Sequence, residues 1–225
     1  MSAGSEQQIF GERNTGLPSS AIALPFLIFG RKALCYIQPA NVGDGPTAHA
    51  SLNQIRTAAN TIILTCVADA DSRGGIAINI GGDDNLGIIV GTYQPDVQCM
   101  SAVPMRSTKS CLDILADMPA TTDTRIFGEV WQAGVQEVLP IEYQSSDGLC
   151  ILKIYTNGKT DSTSWYKIWQ AAEATYAVCN KAQGRSGEEG NIFMLLTASS
   201  TELPNNGSQA IELLNTTSTF ITGTS

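Results

Sequence analysis

Residues 51–66 read SLNQIRTAANTIILTC, and residues 164–179 read SWYKIWQAAEATYAVC. Aligned without gaps, they share Ser51/Ser164, Ile55/Ile168, Ala58/Ala171, Ala59/Ala172 and Cys66/Cys179. Leu52/Trp165 and Ile63/Tyr176 are apolar in both. In the second stretch Trp165, Ile168, Trp169, Ala172, Tyr176 and Cys179 recur at helical spacing and form one stripe. Ser51 and Ser164 are the expected N-caps, since a serine hydroxyl accepts a bond from an unpaired first-turn amide. The paired alanines leave a small surface mid-helix, suited to close packing on a sheet.

The flanks of the two stretches agree. Leu34-Cys35 precedes the first and Leu149-Cys150 the second, each inside an apolar, strand-like run. A glycine loop with an arginine follows each closing cysteine, Ser72-Arg73-Gly74-Gly75 and Gly184-Arg185-Ser186-Gly187. Apolar runs come next, residues 86–90 and 192–196. The unit reads as strand with Cys, turn, helix ending in Cys, glycine loop, strand. A duplicated unit of this kind predicts an α+β fold, with one antiparallel sheet formed from both copies and two main helices on one face. The copies cover about residues 33–92 and 148–197, within a single pseudo-symmetric domain at 33–197.

Six cysteines, Cys35, Cys66, Cys99, Cys111, Cys150 and Cys179, are spread along a chain rich in Ser, Thr, Gly and Asn. No CxxC pair is present and there is one histidine, so no zinc set forms and no metal is expected. Well-separated cysteines read as three disulfides of an extracellular protein; a cytosolic protein with free thiols is the rival reading. Six cysteines allow many connectivities. If equivalent cysteines do equivalent jobs, Cys35 pairs with Cys66, Cys150 with Cys179, and Cys99 with Cys111.

Outside the repeat, residues 1–32 form an N-terminal segment, either an extra strand or a mis-assigned leader. Residues 21–29 (AIALPFLIF) resemble a signal core, but Arg31 and Lys32 follow it rather than precede it; a core strand is the preferred reading. Ser110-Cys-Leu-Asp-Ile114 starts a helix that Pro119 limits to about two turns. Residues 135–143 alternate like a strand, followed by a turn at 145–148. Residues 198–225 are a Ser/Thr-rich tail containing the sequons at Asn206 and Asn215, as in a glycoprotein.

Composition removes several functions. Thirteen basic against 21 acidic residues leave a net charge of −8, so the cationic surface behind non-specific nucleic-acid binding is missing. Charged residues make up 15% of the chain, against about 25% in an average domain. No apolar run reaches the roughly 18 residues of a helical membrane span. Gly81-Gly82-Asp83 and Gly74-Gly75 are too irregular for a P-loop or a dinucleotide fingerprint, and no cofactor is expected.

The chemical candidates are few. Asp69, Asp71, Asp83 and Asp84 cluster in two glycine-flanked loops that could offer oxygens to a ligand. The EF-hand spacing fails, because Arg73 and Ile80 occupy ligand positions. His49 lies in an expected loop with no GxSxG motif to complete a triad. Trp165 and Trp169 read as core. Trp131 and Tyr166 read as the aromatics free to make an exposed contact, for instance by stacking on a sugar.

The pattern C-x-I, the S-xxx-I-x-x-A-A helix with its closing Cys, residues 74–86 (GGIAINIGGDDNL), Pro95-Asp-Val-Gln-Cys99 and Thr163-Ser-Trp-Tyr resembles uncharacterised secreted proteins of mushroom-forming fungi, over roughly residues 33–197. The resemblance implies secretion and paired cysteines, and it transfers no catalytic residue. In architecture alone the chain is similar to fungal killer-toxin-like and effector-like proteins. The expectation is a secreted, disulfide-stabilised interaction protein without enzymatic activity, acting on a protein or glycan target. The alternative is a carbohydrate-binding protein or glycoside hydrolase that uses loop carboxylates and exposed aromatics.

Overall fold

The computed structural model describes residues 4–13, 15–30, 35–67, 74–93, 96–104, 108–179, 182–187 and 191–198. Its first half runs β1 (Gln7–Glu12), β2 (Ile22–Leu24), β3 (Ile28–Phe29), β4 (Cys35–Asn41), β5 (Thr47–Ser51), α1 (Leu52–Ile62), a π-helical turn (Ile63–Val67), β6 (Gly75–Ala77) and β7 (Leu86–Thr92). A strand and a helix follow, β8 (Asp96–Pro104) and α2 (Thr108–Asp117). The second half continues with β9 (Thr124–Gly128), β10 (Glu137–Val138), β11 (Ile141–Gln144), β12 (Cys150–Thr156), β13 (Asp161–Ser164), α3 (Trp165–Val178), β14 (Ala182–Gly187) and β15 (Ile192–Ala198). The fold is mixed α+β and mostly strand.

Strand pairing follows the same order in each half. β1 lies parallel to β2 and antiparallel to β5; β9 lies parallel to β10 and antiparallel to β13. A four-stranded sheet has the order β3-β4-β7-β6, and a five-stranded sheet has the order β11-β12-β15-β14-β8. β8 is the added strand, antiparallel to β14 with Cys99 opposite Gly184.

The expected single sheet is therefore not what forms. α1 packs on the four-stranded sheet, while α2 and α3 pack on the five-stranded one. There are accordingly two cores. In the first, Ile55, Ala59 and Ile62 of α1 meet Phe10, Ala48, Ala50, Leu86, Ile88 and Val90. In the second, Trp165, Ile168, Trp169 and Ala172 of α3 meet Ile114 and Leu115 of α2 and the inward side chains of β12 and β15. Alternation selects those side chains: Leu152 lies opposite Leu196 and Ile154 opposite Met194, each nearly inaccessible to solvent.

Helix starts are set as the serines suggest. Ser51 Oγ accepts from the Gln54 amide at 3.2 Å, while Gln54 Oε1 accepts from the Ser51 amide at 2.7 Å, a full capping box. Ser164 Oγ accepts from the Lys167 amide at 3.3 Å. Other expectations shift. Residues 21–29 split into β2 and β3, which belong to different sheets on either side of Pro25. Gly184–Gly187 is part of strand β14 rather than a loop, because β8 and β15 supply ladder partners on both sides. α2 begins before Ser110 and runs to Asp117, longer than the two turns expected.

Disulfide connectivity is corrected in full. Cys99 joins Cys179 and Cys111 joins Cys150, with Cα separations of 5.2 and 5.3 Å, whereas Cys35 and Cys66 are free. Matching positions in the two aligned stretches do not make a bridge, which requires Cα atoms within about 7 Å. The partners that meet this limit come from β8 and α2, elements inserted between the halves. The Asp147 carboxylate strengthens the same corner by accepting from Ser110 Oγ at 2.5 Å and Ser145 Oγ at 2.6 Å. These bonds hold its pKa down at about 2.

Non-reducing peptide mapping of the isolated chain is expected to recover Cys99–Cys179 and Cys111–Cys150, with two alkylatable thiols at Cys35 and Cys66. Opening either bridge by a Cys→Ser pair should cost about 4 kcal/mol in denaturant unfolding, from the loop it closes.

Candidate functional site

The residues singled out by sequence do not converge. Asp69 and Asp71 lie outside the described residues. His49 sits in β5, not in a loop, because its strand pairs with β1. Its Nδ1 lies 2.8 Å from Asp83 Oδ2. The Asp83 amide also donates to the His49 carbonyl at 3.2 Å, and Asp83 Oδ1 accepts from the Asn85 amide at 3.1 Å. Slight burial raises the Asp83 pKa, but the bonds from His49 and Asn85 outweigh it and bring it to about 2. Asp84 has φ of 59° and accepts from the Gly81 amide at 3.2 Å. These two carboxylates organise their own turn, with Gly82 at φ +85° lying so close to the His49 carbonyl that no Cβ fits there.

Trp131 is exposed, at 77% beside Val130 at 73%. The loop is fixed by Gln132, whose Nε2 donates to the Gly158 carbonyl at 2.9 Å and whose Oε1 accepts from the Glu129 amide at 2.6 Å. Tyr166 is different from what its sequence position suggests: it is half-buried, and its hydroxyl donates to Gln38 Oε1 at 2.6 Å. Burial raises its pKa to about 12, helped by neighbouring Tyr36 and opposed by the bond to Gln38. Tyr166 is thus a bond between the halves, since Gln38 belongs to β4 and Tyr166 to α3.

That seam carries a cleft of about 440 Å³, within the range of small-ligand sites. The first half contributes Glu12, Arg13, Leu24, Pro25, Gln38, Pro39, Ala40 and Asn41; the second contributes Pro119, Ala120, Thr121, Thr122 and Asp123. Prolines, alanines and Leu24 supply the apolar part, and amide, hydroxyl and carboxylate groups the polar part. Neighbouring elements hold some of these groups in place. Asn41 Nδ2 donates to the Gly45 carbonyl at 2.6 Å, and its Oδ1 accepts from the Gly43 amide at 3.3 Å. The Tyr166 amide donates to the Thr121 carbonyl at 2.9 Å.

Arg13 holds the two halves together beside this cleft. Its Nη1 donates to the carbonyls of Leu115, Ala116 and Met118 at the C-terminal end of α2, at 2.5, 2.9 and 3.1 Å. Nη2 donates to the Pro25 carbonyl at 2.9 Å. The guanidinium carbon lies 4.7 Å from the centre of the Trp169 ring, and Trp169 Nε1 donates to the same Leu115 carbonyl at 3.0 Å. Burial lowers the Arg13 pKa, against the fields of Glu173 and Asp117. Burial raises the Glu173 pKa to about 7, with Arg13 pulling the other way.

Sequence reasoning named none of the cleft residues as a site. One signal was available for Glu12: Ile9-Phe10-Gly11-Glu12 recurs as Ile126-Phe127-Gly128-Glu129. Nothing local marks Gln38, Asn41 or Asp123. Among the described residues no group of three or more His, Cys, Asp or Glu is placed to hold a metal ion. No helix among them is long and apolar enough to cross a membrane.

No protein-family model matches the sequence, and no curated protein matches it. Among solved structures, the chain has similarity to the tandem DUF26 ectodomain of the Arabidopsis thaliana cysteine-rich receptor-like protein PDLP5. The TM-score is 0.27 and the identity 12%, over 88% of this chain and 84% of that one. A likeness of that size carries no structural argument, and the site rests on its own geometry.

Arg13→Ala should lower unfolding stability by about 1–3 kcal/mol, because partly buried carbonyls lose a charged donor. Arg13→Lys should recover only part of this, since an ammonium cannot reproduce the planar fork; denaturant midpoints check both. For Glu173, the folded protein keeps a proton between pH 4.5 and about 7 that the unfolded chain has released. Stability should therefore fall as pH rises through that window and level off above it. Melting temperatures of Glu173→Gln should lack that decline.

Proposed function

We propose that the protein is a secreted, non-enzymatic recognition module built from two copies of one unit, and that its ligand sits in the seam cleft between them. One observation carries the proposal: polar groups from both halves, Gln38 and Asn41 from one, Thr121, Thr122 and Asp123 from the other, line one cleft together with prolines, alanines and Leu24. A mixture of amide and hydroxyl groups over prolines and alanines suits a polyhydroxylated ligand, and a glycan is the favoured target class. The two disulfides support an extracellular setting.

Support for the two-copy reading comes from several levels. Each half has a strand flanked by one parallel and one antiparallel neighbour, then a serine-capped helix on an antiparallel sheet. Cys35 and Cys150 each begin the corresponding strand, β4 and β12. The sequence pairs Ile9–Glu12 with Ile126–Glu129 and Leu24-Pro25 with Leu139-Pro140. Effector-like action on a protein target remains the companion reading. Hydrolysis is a second reading with a specific basis, since Glu12 and Asp123 bring one carboxylate from each half to the cleft.

A glycan array probed with the oxidised protein is expected to show selective binding. Thr122→Ala or Asp123→Ala, at exposed side chains of the cleft wall, should weaken it at least 10-fold with an unchanged melting temperature. Retained binding in both variants would place the ligand elsewhere. No binding to any glycan would remove the glycan class, and release of reducing ends that Glu12→Gln abolishes would convert the reading to hydrolase.

A further inference from the structure

The halves differ at the edge of their larger sheets. In the second, β8 covers the edge of β14 and α2 packs beside β12, and each is tied down by a disulfide, Cys99 to Cys179 and Cys111 to Cys150. In the first, β6 is the edge strand of its sheet, and no described strand lies beyond it. Cys66, the counterpart of Cys179, and Cys35, the counterpart of Cys150, are free there. Cys66 Sγ sits against that edge: a Cβ built on Gly75, the first residue of β6, would lie 3.1 Å from it.

A second observation is independent of the cysteines. Ile76 and Ile78, on and just after the edge strand, are 60% and 58% exposed, and Leu64 on the adjoining π-helical turn is 66% exposed. An exposed strand edge flanked by large apolar side chains is a template for strand addition.

We infer that the β6 edge, with Cys66 and Cys35, is a docking site for a strand–helix segment of a second polypeptide that carries two cysteines spaced as Cys99 and Cys111 are. The occupant is specified by what fills the equivalent position in the second half. It cannot be taken from this chain, whose other four cysteines are already paired, or from a second copy, whose β8–α2 segment is held in the same way. The incoming strand pairs antiparallel with β6 and places its cysteine at Cys66, and its helix places the other at Cys35. Attachment is thiol–disulfide exchange. The incoming cysteine arrives as a mixed disulfide with a small thiol, the Cys66 thiolate attacks its sulfur, a new S–S bond forms, and the small thiol leaves as a thiolate that takes up a proton. Repetition at Cys35 completes the link with no further oxidant. The inference rests on the two-copy reading.

The test uses the full chain and a synthetic peptide of its own residues 96–117, with both cysteines capped by glutathione. Intact mass should show addition of one peptide with loss of two glutathiones, at least 10-fold faster than for a scrambled peptide of equal composition. Mapping should find the Cys99-equivalent on Cys66 and the Cys111-equivalent on Cys35, and Cys66→Ser should slow capture at least 10-fold. Hydrogen exchange should show new protection of the β6 amides. Equal capture of the scrambled peptide, capture without β6 protection, or disulfide-linked homodimers in place of capture would each overturn the docking site. Superposition of the two halves in an experimental structure tests the two-copy reading separately: halves that superpose without peptide capture sink the docking alone, and halves that do not superpose sink both.

Discussion

The Arg13 guanidinium is the contact on which the arrangement of the two halves depends. It brings a positive charge to the carbonyl end of α2, where the helix dipole favours a cation and where unpaired carbonyls need donors. The same plane covers the face of Trp169, the largest fully buried side chain of the second core. Its remaining reach goes to the Pro25 carbonyl in the first half. A single side chain thus finishes a helix, covers a core aromatic and fixes the seam. The burial that makes these bonds strong also lifts the proton affinity of nearby Glu173, which ties the seam to pH.

Around that contact the halves are stabilised unequally. The second carries both disulfides, the Asp147 hydrogen-bond corner and a five-stranded sheet. The first relies on an apolar core around Phe10 and Ile55 and ends in an open, three-residue edge strand. Disulfides act mainly by restricting the unfolded chain, so the first half should be the one whose amides open at lower free energy.

The cleft gets its character from both halves at once. Its polar groups project from β4, the end of β1 and the segment after α2, and the Tyr166–Gln38 bond keeps these elements in register. Neither half alone presents both walls. Selectivity for a ligand would therefore be sensitive to the angle between the halves, which Arg13 and Tyr166 set.

Much of the local structure was legible in the chain. The stripe from Trp165 to Cys179, the serine caps and the apolar runs of β7 and β15 obey rules that act over a few residues, so their reading required no long-range information. The relation between the two helix segments was equally visible, because it is a comparison of sequence with itself. What lies opposite a given residue was not legible. Cys66 and Cys179 occupy matching positions, yet only one meets a partner, because β8 and α2 stand beside one half only. Arg13 reads as a surface residue in a polar stretch until α2 arrives from about 100 positions away. The cleft, likewise, is made of residues from segments separated along the chain, each unremarkable in its own neighbourhood. Sequence by itself determined the two serine-capped helices and the apolar stripe of α3, because propensity and periodicity are local; β5 and β14 are strands only because ladder partners lie beside them. Tertiary structure decided the bridges, the seam and the site, because those depend on distances between segments that no local pattern encodes.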